Sequence, residues 1–201
     1  RYGVLNMDDL TPTFKKMLQQ DFDYFFPNAK TVVFPSNLCS DYMDTLRCWL
    51  GDQFDASKLL WRGSTDGFTP KAFHNRCNNR GATLTIIQST NDWIFGGYNP
   101  QSWTSEGGYS TRYGAFLFTL TNPHGIKPTQ YFCKDQAKAV YNHAAYGPTF
   151  GYGPDLVVFQ GGGSYTNLPS SYTDTTGKGN TTFTGQKMFG VKEVEVFAIS
   201  S

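Results

Sequence analysis

The sequence predicts a mainly β fold: a two-sheet antiparallel β-sandwich with short flanking helices and an N-terminal helical extension. Three observations lead to this prediction. Short runs rich in β-branched and aromatic residues recur from residue 58 to the C-terminus. Loops rich in Gly, Ser, Thr and Asn separate these runs. Helical patterns between them are short and few, and strands connected in this way favour an antiparallel sandwich over a parallel sheet covered by helices.

Residues 1–57 form the predicted helical extension. Thr11 is placed to cap a first helix, with Pro12 at its first position. Ser40 is placed to cap a second helix, which Gly51 would end. The second helix has apolar residues spaced for one buried face, namely Tyr42, Met43, Leu46, Trp49 and Leu50. Both helices are therefore expected to be packing elements.

Residues 58–201 form the predicted sandwich domain. Thr69 and Pro70 are placed to begin a short helix that runs to Cys77. A hairpin signal at 89–92 separates the second predicted strand from the third. The predicted strands are 58–62, 83–88, 93–98, 115–121, 130–133, 138–141, 156–160 and 191–199. Region 161–190 is poor in aliphatic residues and is predicted to be dominated by loops.

Composition limits the classes of function. The 17 basic and 16 acidic side chains leave a net charge of +1, so no overall field attracts nucleic acid. No apolar run approaches the roughly 18 residues of a transmembrane helix. Charged residues make up only 16%, against about 25% in ordinary globular chains. A surface of low charge that is rich in aromatic residues suits neutral ligands and is common in secreted proteins. The sequence does not set the oligomeric state.

The cysteines and one sequon favour a secreted, extracellular protein, with a cytoplasmic location as the alternative. Four cysteines allow three complete disulfide pairings, and the candidates are Cys39, Cys48, Cys77 and Cys133. The alternative is four free thiols in a cytosolic protein, because cysteine packs well in cores. Asn180 begins an Asn-Thr-Thr sequon and is a candidate glycosylation site.

A series of motifs runs in order through residues 58–199. The motifs are Leu60–Phe68, Phe73-His74, Cys77, Gly81–Ile87, Phe95–Tyr98, Trp103, Ala115–Leu120, Tyr146–Gly151, Asp155-Leu156 and Val194–Phe197. In order and spacing they resemble the TLDc domain family, and look nearest to its single-domain members from aquatic invertebrates and protists. The resemblance implies two packed antiparallel sheets, and a role in oxidative-stress protection or in binding and regulating the vacuolar proton pump. It implies no cofactor and no established catalytic residue.

Catalytic and metal-binding chemistry finds little support in the residues. His74 and Cys77 lie three apart on a predicted helix and could touch, but a Cys–His nucleophile also needs an orienting third group. Glu193 and Glu195 could supply paired acids, yet their alternation with valines predicts that both face solvent. Three histidines without spaced cysteines or carboxylates give no zinc signature. Calcium would draw on Asp92, Asp155 and Asp174, which form no compact run of acidic ligands. We therefore predict no enzyme, no metal and no cofactor.

Binding is the function that the residues favour. Two loops near one predicted hairpin carry aromatic, amide and carboxylate groups, and the ligand-binding candidates are Asp92, Trp93, Tyr98, Asn99, Trp103, Glu106 and Tyr109. Aromatic faces with a few placed polar groups suit neutral sugars. The first hypothesis is thus a secreted, lectin-like recognition domain for a neutral glycan. The alternative for Trp93 and Trp103 is that they are core residues. The second hypothesis, which rests on the family resemblance alone, is an intracellular protein-interaction domain in stress protection or proton-pump regulation.

Overall fold

The computed structural model describes residues 38–158 and 163–200. The predicted first helix near Thr11 and the end of the predicted strand 156–160 lie outside these residues. Three helices are described: α1 (Met43–Leu50), α2 (Gly63–Asp66) and α3 (Pro70–Cys77). Single 3₁₀ turns occur at Ser40–Tyr42, Gly51–Gln53, Gln136–Lys138 and Gly179–Thr181.

Twelve strands are described, and they form two antiparallel six-stranded sheets. Sheet 1 has the order β1-β12-β2-β3-β5-β6, and sheet 2 has the order β11-β10-β9-β8-β7-β4. The predicted antiparallel two-sheet fold is therefore confirmed. The strands are β1 (Phe54–Arg62), β2 (Thr83–Ser89), β3 (Ile94–Asn99), β4 (Tyr109–Ser110), β5 (Phe116–Thr119), β6 (Thr129–Phe132), β7 (Val140–Tyr141), β8 (Thr149–Phe150), β9 (Leu156–Val157), β10 (Ser164–Tyr165), β11 (Met188–Phe189) and β12 (Val191–Ile199).

The short helices begin and end largely where capping chemistry places them. Thr69 Oγ1 accepts the Ala72 N–H at 2.9 Å, which confirms the predicted start of α3. Gly51 ends α1 with a φ of +67°, a backbone conformation that favours glycine. Ser40 does not cap α1, because residues 40–42 form a 3₁₀ turn that leads into the helix. The predicted turn at 63–67 is the single-turn helix α2.

Sheet 1 is covered on both faces, which removes the simple alternation of buried and exposed residues along its central strands. Val194 and Val196 of β12 belong to the core between the two sheets. Phe197 and Ile199 belong to a second core beneath α1, where Leu46 is also buried. Residues on both faces of the strand are therefore buried.

Glu195 shares the β12 face of Phe197 and Ile199, so the prediction that it faces solvent was wrong. Its side chain is fully buried and pairs with Arg62, whose Nη2 lies 2.7 Å and Nε 2.9 Å from Glu195 Oε1. The two residues are partners in the β1–β12 register. A buried carboxylate needs such a partner, because an unpaired charge in the interior is strongly destabilising. Glu193 is partly exposed and accepts the Ser64 N–H at 3.0 Å.

Glycine permits the close approach of the two sheets. A Cβ atom at Gly97 of β3 would lie only 2.7 Å from the Phe150 ring of β8. The pairing of β2 with β3 is regular on both sides of this position, so the glycine makes room for the ring rather than forming a bulge. Phe150 in turn meets the Trp103 ring edge to face, with centroids 5.4 Å apart. The contact between Phe150 of β8 and Gly97 of β3 packs sheet 2 against sheet 1.

Candidate functional site

The outer side of sheet 2 carries a row of aromatic rings, here called the tyrosine surface: Tyr109, Tyr141, His143, Tyr146 and Tyr152. Tyr109 of β4 and Tyr141 of β7 are register partners, with ring centroids 4.8 Å apart. The residue before Tyr141 is the core residue Val140, so the tyrosine points to the opposite, outer side of its strand. Tyr109 and Tyr152 remain 41% and 52% exposed.

The rings of the tyrosine surface form one connected series. Tyr152 lies 5.6 Å from Tyr109, and at the far end His143 stacks parallel to Tyr141 at 5.8 Å. Tyr146 closes the group, 5.2 Å from His143. Such a contiguous set of partly exposed rings can cover the apolar side of a ligand while the hydroxyl groups accept and donate hydrogen bonds.

The surface carries little charge. Burial raises the pKa of Tyr109, and the neighbouring Tyr141 and Tyr152 raise it further, so its hydroxyl stays neutral at physiological pH. Lys138 Nζ lies 4.3 Å from the centroid of the Tyr152 ring, in cation–π contact. A neutral ligand, or a protein segment that brings a carboxylate to Lys138, suits this arrangement.

His74 attaches one end of the tyrosine surface to α3. Its side chain is 8% exposed, and Nε2 lies 3.0 Å from the carbonyl oxygens of both His143 and Tyr146. Both partners are acceptors, so Nε2 is the donor in these two contacts. The other nitrogen, Nδ1, lies 2.8 Å from Asn78 Oδ1. The histidine therefore fixes the loop that presents two of the five rings.

Asn142 anchors the middle of the same segment, between Tyr141 and His143. It is 2% exposed; Oδ1 accepts the Thr104 N–H at 3.0 Å and Nδ2 donates to Ser110 Oγ at 2.7 Å. Its own N–H donates to the Gly108 carbonyl at 2.9 Å. The inward-pointing amide thus connects β7 to the loop before β4.

Asp155 anchors the segment behind Tyr152. This fully buried carboxylate accepts the N–H groups of Ser170 at 2.5 Å and Ser171 at 2.7 Å, with that of Tyr172 at 3.4 Å. The Tyr152 N–H donates to Ser171 Oγ at 2.9 Å, which connects the anchor to the surface. Burial raises the pKa of Asp155 to about 6, although the three N–H donors act in the opposite direction.

The predicted ligand-binding residues do not form one site. Tyr109 belongs to the tyrosine surface, and Glu106 is exposed on the loop that leads to it. Trp103 is fully buried, its Nε1 donating to Thr83 Oγ1 at 2.8 Å, and Asn99 is also fully buried. Neither residue offers an exposed face to a ligand, because both lie inside the sandwich.

The remaining candidates lie at the two ends of β3. Asp92 occupies the β2–β3 turn with a φ of +64°, and its carboxylate pairs with Lys192 at 2.6 Å. Trp93 is partly buried against the core between the sheets. Tyr98 packs on Phe116 at the other end of the strand, with centroids 5.1 Å apart.

Cys48, Cys77 and Cys133 are free thiols in this structure, and the predicted disulfide candidates Cys39, Cys48, Cys77 and Cys133 form no disulfide among the described residues. Cys48 is exposed and the other three are buried. Burial raises the pKa of Cys133 to about 11 and that of Cys77 higher still. Both ring nitrogens of His74 bond elsewhere, so none of the described contacts pairs it with the Cys77 thiol.

Metal binding finds no cluster of ligands in the part of the chain that is described: no group of three or more His, Cys, Asp or Glu side chains lies close enough to hold an ion. The carboxylates of Asp155 and Asp174 accept backbone N–H groups instead.

Asn180 is exposed, as a glycosylation acceptor must be. Across residues 38–158 and 163–200, no helix has the length and apolar character to cross a membrane.

Comparison with known proteins assigns the family. No curated protein matches the chain. A family model, that of the TLDc domain, matches residues 35–200. The match begins before the predicted boundary at residue 58 and takes in α1 as well as both sheets. The motifs of the sequence, the two packed sheets and this match agree, and the chain belongs to the TLDc domain family.

Proposed function

We propose that this chain is a non-enzymatic, TLDc-type interaction domain that holds a protein partner on the tyrosine surface. The single observation that supports it is the contiguous series of partly exposed rings, of which Tyr109 and Tyr152 are the most accessible. Tyrosine is enriched in the central, energetically dominant part of protein interfaces. His74, Asn142 and Asp155 fix the backbone beneath the rings, so little conformational entropy is lost when a partner binds.

The free thiols support a reducing compartment as the site of action. Disulfides persist in oxidising compartments and are rare in the cytosol. Cys48, Cys77 and Cys133 are unpaired, and two of them are buried, which favours the intracellular hypothesis over the secreted one. The partner class that the family suggests is the vacuolar proton pump, with proteins of the oxidative-stress response as a further group.

The proposal is tested by removing the two most exposed rings. A Tyr109→Ala/Tyr152→Ala double variant and the wild type are titrated with the purified peripheral sector of a vacuolar proton pump. Loss of two interface tyrosines is expected to weaken binding by about 30-fold or more, since residues of this kind contribute about 2 kcal/mol or more. The matched control is Tyr113→Ala, which removes a tyrosine that is 76% exposed and lies outside the surface.

A neutral glycan is the second candidate ligand, because the same rings present hydroxyl-bearing edges and low charge. A glycan array with the same three proteins separates the two proposals. Saturable glycan binding that the double variant loses and the control keeps would establish the lectin-like function. Equal binding of the pump sector by the wild type and the double variant would exclude the tyrosine surface as the docking site.

A further inference from the structure

A second concave site lies away from the tyrosine surface, between the β2–β3 turn and the segment that leads into β11. This hairpin cleft has a volume of about 300 Å³, and its lining includes Ser89, Thr90, Asn91, Thr184, Gln186 and Met188. The Thr90 N–H donates to the Gly190 carbonyl at 2.9 Å and so connects the two walls. Because the walls are joined by backbone, the cleft is preformed.

The lining can both donate and accept hydrogen bonds without carrying charge. Ser89 is 1% exposed and its Oγ accepts the Trp93 N–H at 3.1 Å, so it fixes the β2–β3 turn beneath the cleft and is too buried to contact a ligand. Thr184 is 6% exposed and its hydroxyl donates to the Gln186 carbonyl oxygen at 3.0 Å. The lone pairs of Thr184 Oγ1 therefore remain to accept a hydrogen bond from a ligand. The side-chain amides of Asn91 and Gln186 make no hydrogen bond within the described part of the chain and are exposed.

Charge and shape restrict the ligand further. The ion pair of Asp92 with Lys192, at 2.6 Å, follows the lining residue Asn91 in the turn. No lining residue is charged, so the lining itself favours neither an anion nor a cation. Met188 is 50% exposed and lines the cleft with an apolar, polarisable side chain. The volume lies at the lower end of the range for small-molecule sites.

We propose that the hairpin cleft binds a small neutral polyhydroxylated ligand, such as a single sugar ring. The amides of Asn91 and Gln186 and the hydroxyl of Thr184 would exchange hydrogen bonds with vicinal hydroxyl groups, and Met188 would cover a C–H face. This binding is independent of the tyrosine surface and goes beyond the function proposed for it.

The test is a titration of the ¹⁵N-labelled full chain with D-glucose, D-galactose, D-mannose and N-acetyl-D-glucosamine, followed by NMR. At least one sugar is expected to shift the Asn91 and Gln186 side-chain resonances saturably. Asn91→Ala and Gln186→Ala should each weaken that binding about fivefold or more, as the loss of one hydrogen bond predicts. Gln101→Ala, which removes an exposed glutamine outside the cleft, should leave the affinity unchanged.

Two further comparisons make the outcome decisive. D-glucuronate should bind no more tightly than D-glucose, because the lining is uncharged, and the Tyr109→Ala/Tyr152→Ala variant should bind the sugar as the wild type does. Absence of saturable shifts with all four sugars would overturn the proposal. So would unchanged affinity in both amide variants, whatever the result at the tyrosine surface.

Discussion

Replacing Asp155 by Asn tests how a buried carboxylate supports the candidate site. The side chain is fully buried, and its two oxygens accept three backbone N–H groups from residues 170–172. An amide in its place turns an N–H₂ group toward at least one of these donors. A lost hydrogen bond with an unsatisfied buried partner costs about 1–3 kcal/mol, and this is the destabilisation expected at pH 8.

The pH dependence of the free energy of unfolding gives a second, more specific prediction for Asp155→Asn. Burial raises the pKa of Asp155 to about 6 in the folded chain, above the ordinary value of 3.8. Between these two values the folded state binds a proton that the unfolded state does not, so stability rises as the pH falls. From pH 8 to pH 5 the wild type should gain about 1.4 kcal/mol relative to Asp155→Asn, which cannot titrate.

The assay is urea unfolding of both proteins at pH 8, 7, 6 and 5, and only the difference between them is used, so that all other titrating groups cancel. Asp174→Asn is the matched control. Burial pushes the pKa of Asp174 up, but hydrogen bonds from Gly179, Thr176 and Gly177 outweigh it and the net pKa is lowered. The stability that ionised Asp174 contributes is present at neutral pH. It is lost only as the pH falls below 3.8, the ordinary pKa of the group. The difference in the free energy of unfolding between the wild type and Asp174→Asn should therefore stay constant down to pH 5 and become smaller at lower pH.

The reasoning is refuted if the difference in the free energy of unfolding between the wild type and Asp155→Asn stays constant or becomes smaller as the pH is lowered from 8 to 5. That result would mean that the three N–H donors, and not burial, dominate the titration of Asp155. If the variant does not fold, the carboxyl carbon of Asp155 in the wild type can be followed by NMR. Its titration midpoint is then expected near 6.

Two further predictions concern packing and redox state. Gly97→Ala should lower the free energy of unfolding by about 1–3 kcal/mol, because the new Cβ meets the Phe150 ring at 2.7 Å, and urea unfolding measures it; an unchanged midpoint would show that the ring moves freely. At pH 8 a thiol reagent should modify Cys48 alone in the native chain, since the other three cysteines are buried and the pKa of Cys133 is raised to about 11. All four should react in urea without reductant, and fewer than four would reveal a disulfide.

Sheet 1 was predictable because its strands are long enough to carry a pattern. The hairpin signal at 89–92 and the runs rich in β-branched and aromatic residues at 83–88 and 115–121 predicted β2, β3 and β5 correctly to within a few residues. The prediction for Glu195 was wrong because alternation along a strand implies a solvent-exposed face only where one side of the sheet is uncovered. Both sides of β12 are covered, and a charge can be buried there only because Arg62 lies opposite it in the register.

Sheet 2 was harder to predict, since each of its strands is assigned only two residues. Two residues cannot display a period, and β4, β8, β10 and β11 were not anticipated. The tyrosine surface was missed for a related reason: only Tyr109 of its five members was among the predicted ligand-binding residues. The others are up to 43 positions away along the chain, and only the pairing of β4 with β7 brings them together. The one available signal was the density of tyrosines between residues 141 and 152.

Short strands also determine what must hold the candidate site in place. The β7–β8 and β9–β10 pairings each have a single register pair, too little backbone hydrogen bonding to fix a binding surface. Buried polar side chains supply the missing connections: His74 and Asn142 hold the backbone near His143, and Asp155 holds the segment behind Tyr152. Each bonds to backbone groups of a different segment of the chain, so each would be costly to replace with an apolar residue. In this chain the rigidity of the tyrosine surface therefore depends on residues that a ligand never touches.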